Sequence, residues 1–561
     1  MINLFLKRIK YSLKGIFSRK ITIPSEIHSF KYNHPKFADT LVSYLLSNND
    51  KKVDAKIRIF GKEIINPIVT EDIFSSFQFN NHSRYIPAYF NKGDVKVPYE
   101  ASRLQYLQKF HFLSVNKINY DIDIKKINVD DFPLIYWNSP MDVAIRNINL
   151  ILHRMFLEFS DLNVVLLEND MKKIDSYISQ HYKFVSENLE NKGNVVGNHY
   201  LVELASILFT LSIYKFENCE EEIKYFLNEL SRQLDLQFFK EGTNFEGSSH
   251  YSALVVEALL VCKLAIEQID ENSSILRKIE YIILSNKNFL NLLMINGELS
   301  QIGDNDSGRI FYYFFDEEKP LNMNWLIEMI DYFYEGKNKE VLIENNINDV
   351  SFDEIVNTYL GNDISKLNRV LNPIIKIFTD DFELHSFKEF GIYIWKNKSG
   401  SEYFSIRCGK IGQNGVGGHS HYDQLSIECF TNNKWIARDP GTGTYTDNIE
   451  VRNNFRSSNY HWGPKADVNL PIMDEFDCFK LHKEISSPLI SDGKVLYIDK
   501  YNFLGSVKIK GKEIFRKINF QNGNAIIEDF SYDCSLEEYR SWGENNFGVK
   551  EMFSNGYKRY K

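Results

Sequence analysis

The densest chemistry in this sequence lies in GGHSHYDQLS, residues 417–426. His419 and His421 are two apart, and on a strand such residues project to one face. Paired imidazoles suit proton transfer or metal ligation. Gly417 and Gly418 before them allow a ligand or a second backbone to come close. Downstream, ARDPGTGTYT places Asp439 ahead of a Pro-Gly turn, and FRSSNYHWG supplies His461. One carboxylate and two imidazoles form a set that Zn2+ accepts. Upstream, GNHYLVELA carries Asn198, His199 and Glu203. The last two are four apart and share a helix face, where a mutual hydrogen bond is the plain reading. In EGTNFEGSSHYSALVVEALL a polar loop holding Glu246 runs into a helix, with His250 and Tyr251 at the junction. GDNDSG, residues 303–308, opens like a calcium loop with Asp304 and Asp306, but Phe315 occupies the position of the bidentate glutamate, so an EF-hand is rejected. An acidic cleft or a helix-capping loop is expected there instead. The chain holds no Walker loop, dinucleotide GxGxxG, HExxH or G-x-S-x-G elbow, which sets aside the enzyme classes those motifs serve.

Two kinds of scaffold must position these residues. From about Tyr99 to Lys376 the pattern is mainly helical, with apolar residues at three- and four-residue steps in Met141–Phe159, His199–Tyr214 and Tyr251–Ile269. Near His385 the texture changes. GIYIWKN, EYFSIRCG, QLSIECFTNN, KWIARDPG and NAIIEDFSYD are short, β-branched and aromatic, and turn residues separate several of them. That is the pattern of antiparallel strands in a sandwich or barrel. The expected fold class is therefore α+β multidomain, a helical domain followed by an antiparallel β domain. Periodicity leaves bundle and toroid both open for the helices. The expected boundaries are a lead-in over 1–75, the helical domain over 76–380 and the β domain over 381–561.

A chain of 561 residues exceeds one ordinary core. Its net charge of -9 argues against a nucleic-acid partner, though a basic cleft for an acidic ligand is compatible with an acidic protein. Six scattered cysteines with no CxxC pair read as buried thiols. The first twenty residues lack the uninterrupted apolar run of a secretion signal. Phe5, Ile9, Leu13, Ile16 and Phe17 fall at helical spacing beside Lys and Arg, which suits either peripheral contact with an anionic membrane or docking on the chain's own domain. The cytoplasm, or the inner membrane face, is the expected location.

Taken in order, WNSPMDVAIRNINL, GNHYLVELA, FEGSSHY, GGHSHYDQLS, DPGTGTY and FRSSNYH resemble the segments of heparinase II/III-like polysaccharide lyases. The resemblance implies an incomplete α/α toroid followed by a β-sandwich, and β-elimination at a uronic acid of an acidic polysaccharide. It implies that Asn198 and His199 contact the uronate carboxylate, that Tyr251 protonates the leaving oxygen and can also serve as a base, and that His419 is the base or its partner. It implies that His421, Asp439 and His461 hold a zinc ion that supports the β domain. Three protein ligands with an open position would otherwise read as catalytic zinc. Glu246, Tyr445, Arg456 and Arg146 are candidates for substrate contact; for Arg146, as for Arg103, tying helices together is the alternative. The lack of a secretion signal fits a chain acting beside bacterial surface polysaccharide assembly. Two other readings stand beside the lyase: a non-catalytic polysaccharide-binding or assembly protein on this fold, and a glycoside hydrolase using carboxylates such as Glu246 and Asp304.

Overall fold

The computed structural model describes residues 21–558 apart from 22, 26–29, 54–55, 65–67, 80–88, 118–127, 160–167, 193–194, 337–349, 362–365, 469–477, 482–488 and 543–552. The amphipathic stretch 1–20 lies outside the described residues.

Helices dominate the first two thirds. They are α1 (Ala38–Ser47), α2 (Lys96–Ser102), α3 (Tyr106–Val115), α4 (Pro140–Phe159), α5 (Glu168–Glu187), α6 (Asn198–Ile213), α7 (Cys219–Gln237), α8 (Ser249–Ile269), α9 (Ser274–Leu293), α10 (Asn324–Phe333) and α11 (Phe352–Leu360). Two layers follow from their side chains. In α6 and α8 nearly every residue is buried, as a helix apolar on all sides requires. α7 and α9 bury one stripe each and turn charged residues outward. α4 packs on α6 and α6 on α8, forming an inner layer, with α5, α7 and α9 outside it. This alternation is the incomplete α/α toroid. Among the described residues no helix is long and apolar enough to cross a membrane.

The C-terminal part forms two large antiparallel sheets, with a two-stranded pair, Lys465–Ala466 on Leu536–Glu537, beside them. The strands of the large sheets are β1 (Asn368–Leu371), β2 (Ile375–Lys376), β3 (Phe382–Phe387), β4 (Ile392–Asn397), β5 (Tyr403–Arg407), β6 (Ile427–Thr431), β7 (Lys434–Ala437), β8 (Lys494–Ile498), β9 (Asn502–Ile509), β10 (Lys512–Gln521) and β11 (Asn524–Ser531). One sheet is the meander β3-β4-β5-β6-β7. The other runs β2-β11-β10-β9-β8, with β1 also on β11.

Period-two alternation makes the five-stranded sheet a middle layer. On β4, Tyr393 and Trp395 enter the sandwich core with Phe404, Phe503 and Phe520. Ile392 and Ile394, on the opposite face, join the core of the helical domain. All four are buried, and burying side chains of this size stabilises by about 1.5–3 kcal/mol each. Phe289 of α9 meets Phe387 and Phe390 at 4.8 and 5.0 Å between ring centroids. Lys396 Nζ crosses the same junction and donates to the carbonyls of Asn291, Leu292 and Met294 at 3.0–3.2 Å, closing the C-terminus of α9. The loop after β5 reaches the segment leading into α8, where Gln413 N–H donates to the Phe245 carbonyl at 2.8 Å.

Candidate active site and metal centre

Asn198 opens α6 and Tyr251 sits in the first turn of α8. The Ser248 side chain caps α8, accepting from Tyr251 N–H at 3.2 Å and donating to the Asp304 carbonyl at 2.6 Å. At α6 a remote carboxylate does the equivalent work. Glu246, fully buried, accepts from the Asn198 backbone N–H at 2.7 Å and from its Nδ2 at 2.6 Å. A Cβ on Gly197 would collide with that carboxylate, so any side chain there would push Glu246 off these hydrogen bonds. Only an NH2 group can face a carboxylate, so the Asn198 Oδ1 points away; it is buried without a hydrogen-bond partner.

His419 and His421 correct one expectation: they stand on the loop between β5 and β6, and β6 begins only at Ile427. The loop crosses from sheet to helices. Asp304 N–H donates to the His419 carbonyl at 2.9 Å, and a Cβ on Gly303 (φ +64°) would strike that same carbonyl. The two rings therefore do not share a strand face; they converge on one carboxylate. Asp304 Oδ2 meets His419 Nδ1 at 3.2 Å and Asp304 Oδ1 meets His421 Nε2 at 3.1 Å. Arg452, on the short helix α12 (Ile449–Phe455), grips both oxygens at 2.6 and 2.7 Å. Burial would raise the Asp304 pKa, but Arg452 and then the two imidazoles outweigh it and hold the group well below the usual carboxylate range. An ionised Asp304 only accepts, so His419 presents N–H at Nδ1, and the lone pair of the neutral ring falls at Nε2. That Nε2 lies 3.7 Å from Glu246 Oε2.

The Tyr251 ring stacks on His419, with centroids 3.6 Å apart and planes at 19°. Its hydroxyl donates to Asp306 Oδ2 at 3.0 Å and lies 3.0 Å from the Tyr445 hydroxyl. Burial, then Asp306, Tyr445 and Asp304, raise the Tyr251 pKa well above its ordinary 10, so the phenol keeps its proton. His199, half-exposed, meets Glu190 Oε2 through Nδ1 at 2.9 Å. Burial opposes its charge, yet Glu190 prevails and raises its pKa. Glu203 bonds the Glu190 backbone N–H at 2.9 Å in place of the expected His199–Glu203 contact.

His421 Nδ1, Asp439 Oδ2 and His461 Nε2 stand 3.0–3.2 Å from one another, all buried. That is near the ligand–ligand spacing expected for about 2.0–2.1 Å bonds to a tetrahedral ion. The remaining atoms of each ligand are engaged. His461 Nδ1 is 2.7 Å from the Ser457 carbonyl, His421 Nε2 faces Asp304, and Asp439 Oδ1 accepts from Gly441 N–H at 2.8 Å. With protons placed on those outer nitrogens, three lone pairs converge on one point, a donor set that fits Zn2+ with its outer shell in place. Arg516 of β10, paired to Asp529, donates to the carbonyls of Leu425 and Trp462 beside these loops.

Two expected substrate contacts are placed otherwise. Arg456 is spent on the carbonyls of Cys478 and Lys480 and on Asn453, tying a neighbouring loop down. Arg146 lies inside the helical domain, donating to His181 Nε2 and to the carbonyls of Ser102 and Tyr136. Burial pushes its pKa down to about 9. Tyr445, Glu246, Asn198, Tyr251 and His419 come together. The arginine that reading missed is Arg452, one helical turn before Arg456 on the same segment.

Residues 379–461 form a segment that matches the family model Heparinase II/III-like, C-terminal. It contains His419, the three metal-set residues, Tyr445 and Arg452. Among solved structures, Heparinase III aligns with 14% identity, covering 93% of this chain and 74% of that one, at a TM-score of 0.48. The heparan sulfate lyase HepC mutant from Pedobacter heparinus aligns with 13% identity, covering 88% and 73%, at 0.45. Identities this low say nothing of what this chain's residues do. No curated protein sequence matches the chain.

Proposed function

We propose that the chain is a polysaccharide lyase that cleaves a uronic-acid-containing polysaccharide by β-elimination. His419 Nε2 removes the C5 proton, the C4–O bond breaks as the C4–C5 double bond forms, and Tyr251 gives its proton to the departing oxygen. The observation that carries this reading is the stacked Tyr251–His419 pair, with an ionised Asp304 behind the imidazole. One ring thereby presents a lone pair while its neighbour carries a proton, donated to Asp306 at rest, that turns to the departing oxygen; elimination needs these two functions side by side. His199, drawn towards its charged form by Glu190, receives the uronate carboxyl group together with the second N–H of Asn198 Nδ2, and the two donors stabilise the enolate-like state. His421, Asp439 and His461 would hold zinc, which would supply a cross-link between the loops that carry them.

A retaining or inverting hydrolase needs a carboxyl group able to donate a proton. Asp304, locked between Arg452 and two imidazoles, is not one, and Glu246 is committed as acceptor to the Asn198 N–H and Nδ2, which favours the lyase over the hydrolase reading.

The test is the ultraviolet absorbance of the conjugated unsaturated uronate, followed on a panel of uronate polysaccharides. Wild type should generate it, and Tyr251→Phe and His419→Ala should each lose about 10²–10⁴ in rate. Equal rates in wild type and both variants would end this reading.

A further inference from the structure

Behind Tyr251 lies a buried charge cluster that the elimination chemistry leaves unassigned. Asp306 Oδ2 accepts from the Tyr251 hydroxyl at 3.0 Å and pairs with Lys96 Nζ of α2 at 2.7 Å. Its Oδ1 accepts from Gly308 N–H at 2.7 Å. Arg103 stands behind, paired with Glu100 and Asp142. Asp306, Lys96, Arg103 and Asp142 are buried, and the Glu100 side chain is nearly so. The one contact of Asp306 with the reacting groups is the phenol.

We propose that Asp306, anchored by Lys96, is the positioning residue for Tyr251, holding the phenol oxygen beside His419 and confining the tyrosine to the role of acid. The inference rests on the lyase reading and refines it, since the tyrosine alone could serve as acid or base. Lys96 and Arg103 hold Asp306 ionised against the pull of burial. The groups facing Tyr251 are Asp306, Asp304, Tyr445 and His419, with Lys96 and Arg452 compensating the two carboxylates. A tyrosinate formed 3.0 Å from Asp306 would meet a second anion, so the phenol enters the reaction protonated and regains its proton readily afterwards. The Tyr445 hydroxyl, on the other side, is placed to donate to the oxygen while its proton is away.

The test compares full-length wild type with Asp306→Asn and with the charge-balanced pair Lys96→Met/Asp306→Asn, which keeps the experiment interpretable should the single variant fold poorly. Product absorbance is followed across pH. The variants should lose about tenfold in kcat, with KM within about threefold, and the alkaline limb of the kcat profile should move acidward by about one pH unit. A lower active fraction with an unmoved limb would mean a merely structural role and would overturn the proposal. A second readout needs no turnover: 3-fluorotyrosine placed at 251, with its fluorine resonance titrated in each protein. Earlier ionisation in the Asp306 variants supports the assignment, and identical titrations overturn it. Should wild type release no unsaturated product while the resonance responds to Asp306, the lyase reading fails and the positioning role stands. Should wild type be active and neither readout move, the positioning role fails alone.

Discussion

Replacing Arg452 by methionine should silence the base while leaving the architecture standing. The guanidinium supplies two short hydrogen bonds, 2.6 and 2.7 Å, to a carboxylate with no access to solvent. Without it, Asp304 keeps only His419 and His421 as close charge-compensating partners, with Thr442 and Tyr445 at 3.4 Å. Breaking a buried pair from one side costs about 3–5 kcal/mol, because the remaining charge is stranded. The cheapest relief is for Asp304 to take up a proton. A protonated Asp304 can donate to His419 Nδ1, which moves the imidazole proton to Nε2 and removes the lone pair that faces the substrate. Stability should therefore drop by that amount in calorimetry, and the elimination rate by about 10²–10⁴. Asp304→Asn in the same chain removes the stranded charge and should restore most of the lost stability, leaving a deficit of about 1 kcal/mol for the missing hydrogen bonds. It should not restore the rate, because an amide does not enforce the His419 tautomer. Two results would refute this chain of reasoning: Arg452→Met melting with the wild type, or the double variant turning over like it.

Two further outcomes are expected. Metal analysis of the purified protein should find one zinc per chain, and His461→Gln, which removes one corner of the 3.0–3.2 Å triangle, should bring that to none while circular dichroism of the helical domain persists; equal zinc in both would refute the assignment. His153, buried on α4 with its Nδ1 3.1 Å from His111 Nε2, has its pKa pushed by burial from the ordinary 6.5 down to about 4. Because the folded value is the lower one, the unfolded chain takes up the proton first. The associated stability is present above pH 6.5 and is lost as pH falls towards 4, about 3 kcal/mol in all. His153→Leu should flatten the decline of stability across that window in denaturant titrations, and an unchanged slope would count against the burial argument.

Much of the scaffold was legible because each element carries its own period. Met141–Phe159, His199–Tyr214 and Tyr251–Ile269 fall within a residue or two of α4, α6 and α8. What periodicity does not encode is the layer a helix occupies; α6 and α8 are apolar on every side because they form the inner wall, a fact about their neighbours. The strand expected from Gln424 begins at Ile427, since the Gln424 amide bonds the backbone of Gly409 and closes the loop instead. In the sequence alone Asp304 reads as part of an acidic or helix-capping loop, or as half of a hydrolytic pair. Its real partners are 115, 117 and 148 positions away, and no local pattern announces contacts at that distance. Arg452 and Arg456 differ by one helical turn, so sequence alone could not say which would reach the carboxylate and which the nearby carbonyls.

The geometry also bears on why three protein ligands with room for a fourth need not mean a catalytic metal. Asp304 spends one oxygen on His419 and the other on His421, so the proposed base and the proposed metal set share a single carboxylate. A cation held by His421 Nδ1 would fix that ring, and the ring's Nε2–H would fix Asp304 Oδ1. The carboxylate, already clamped by Arg452, would then have one orientation left in which to meet His419. Arg516 secures the same loops from the sandwich side through the Leu425 and Trp462 carbonyls. A metal in this position would govern the rate without touching the sugar, acting through the tautomer and angle of one imidazole. The sheet buried on both faces makes such remote control practical, because neither loop can shift without disturbing a packed core on each side.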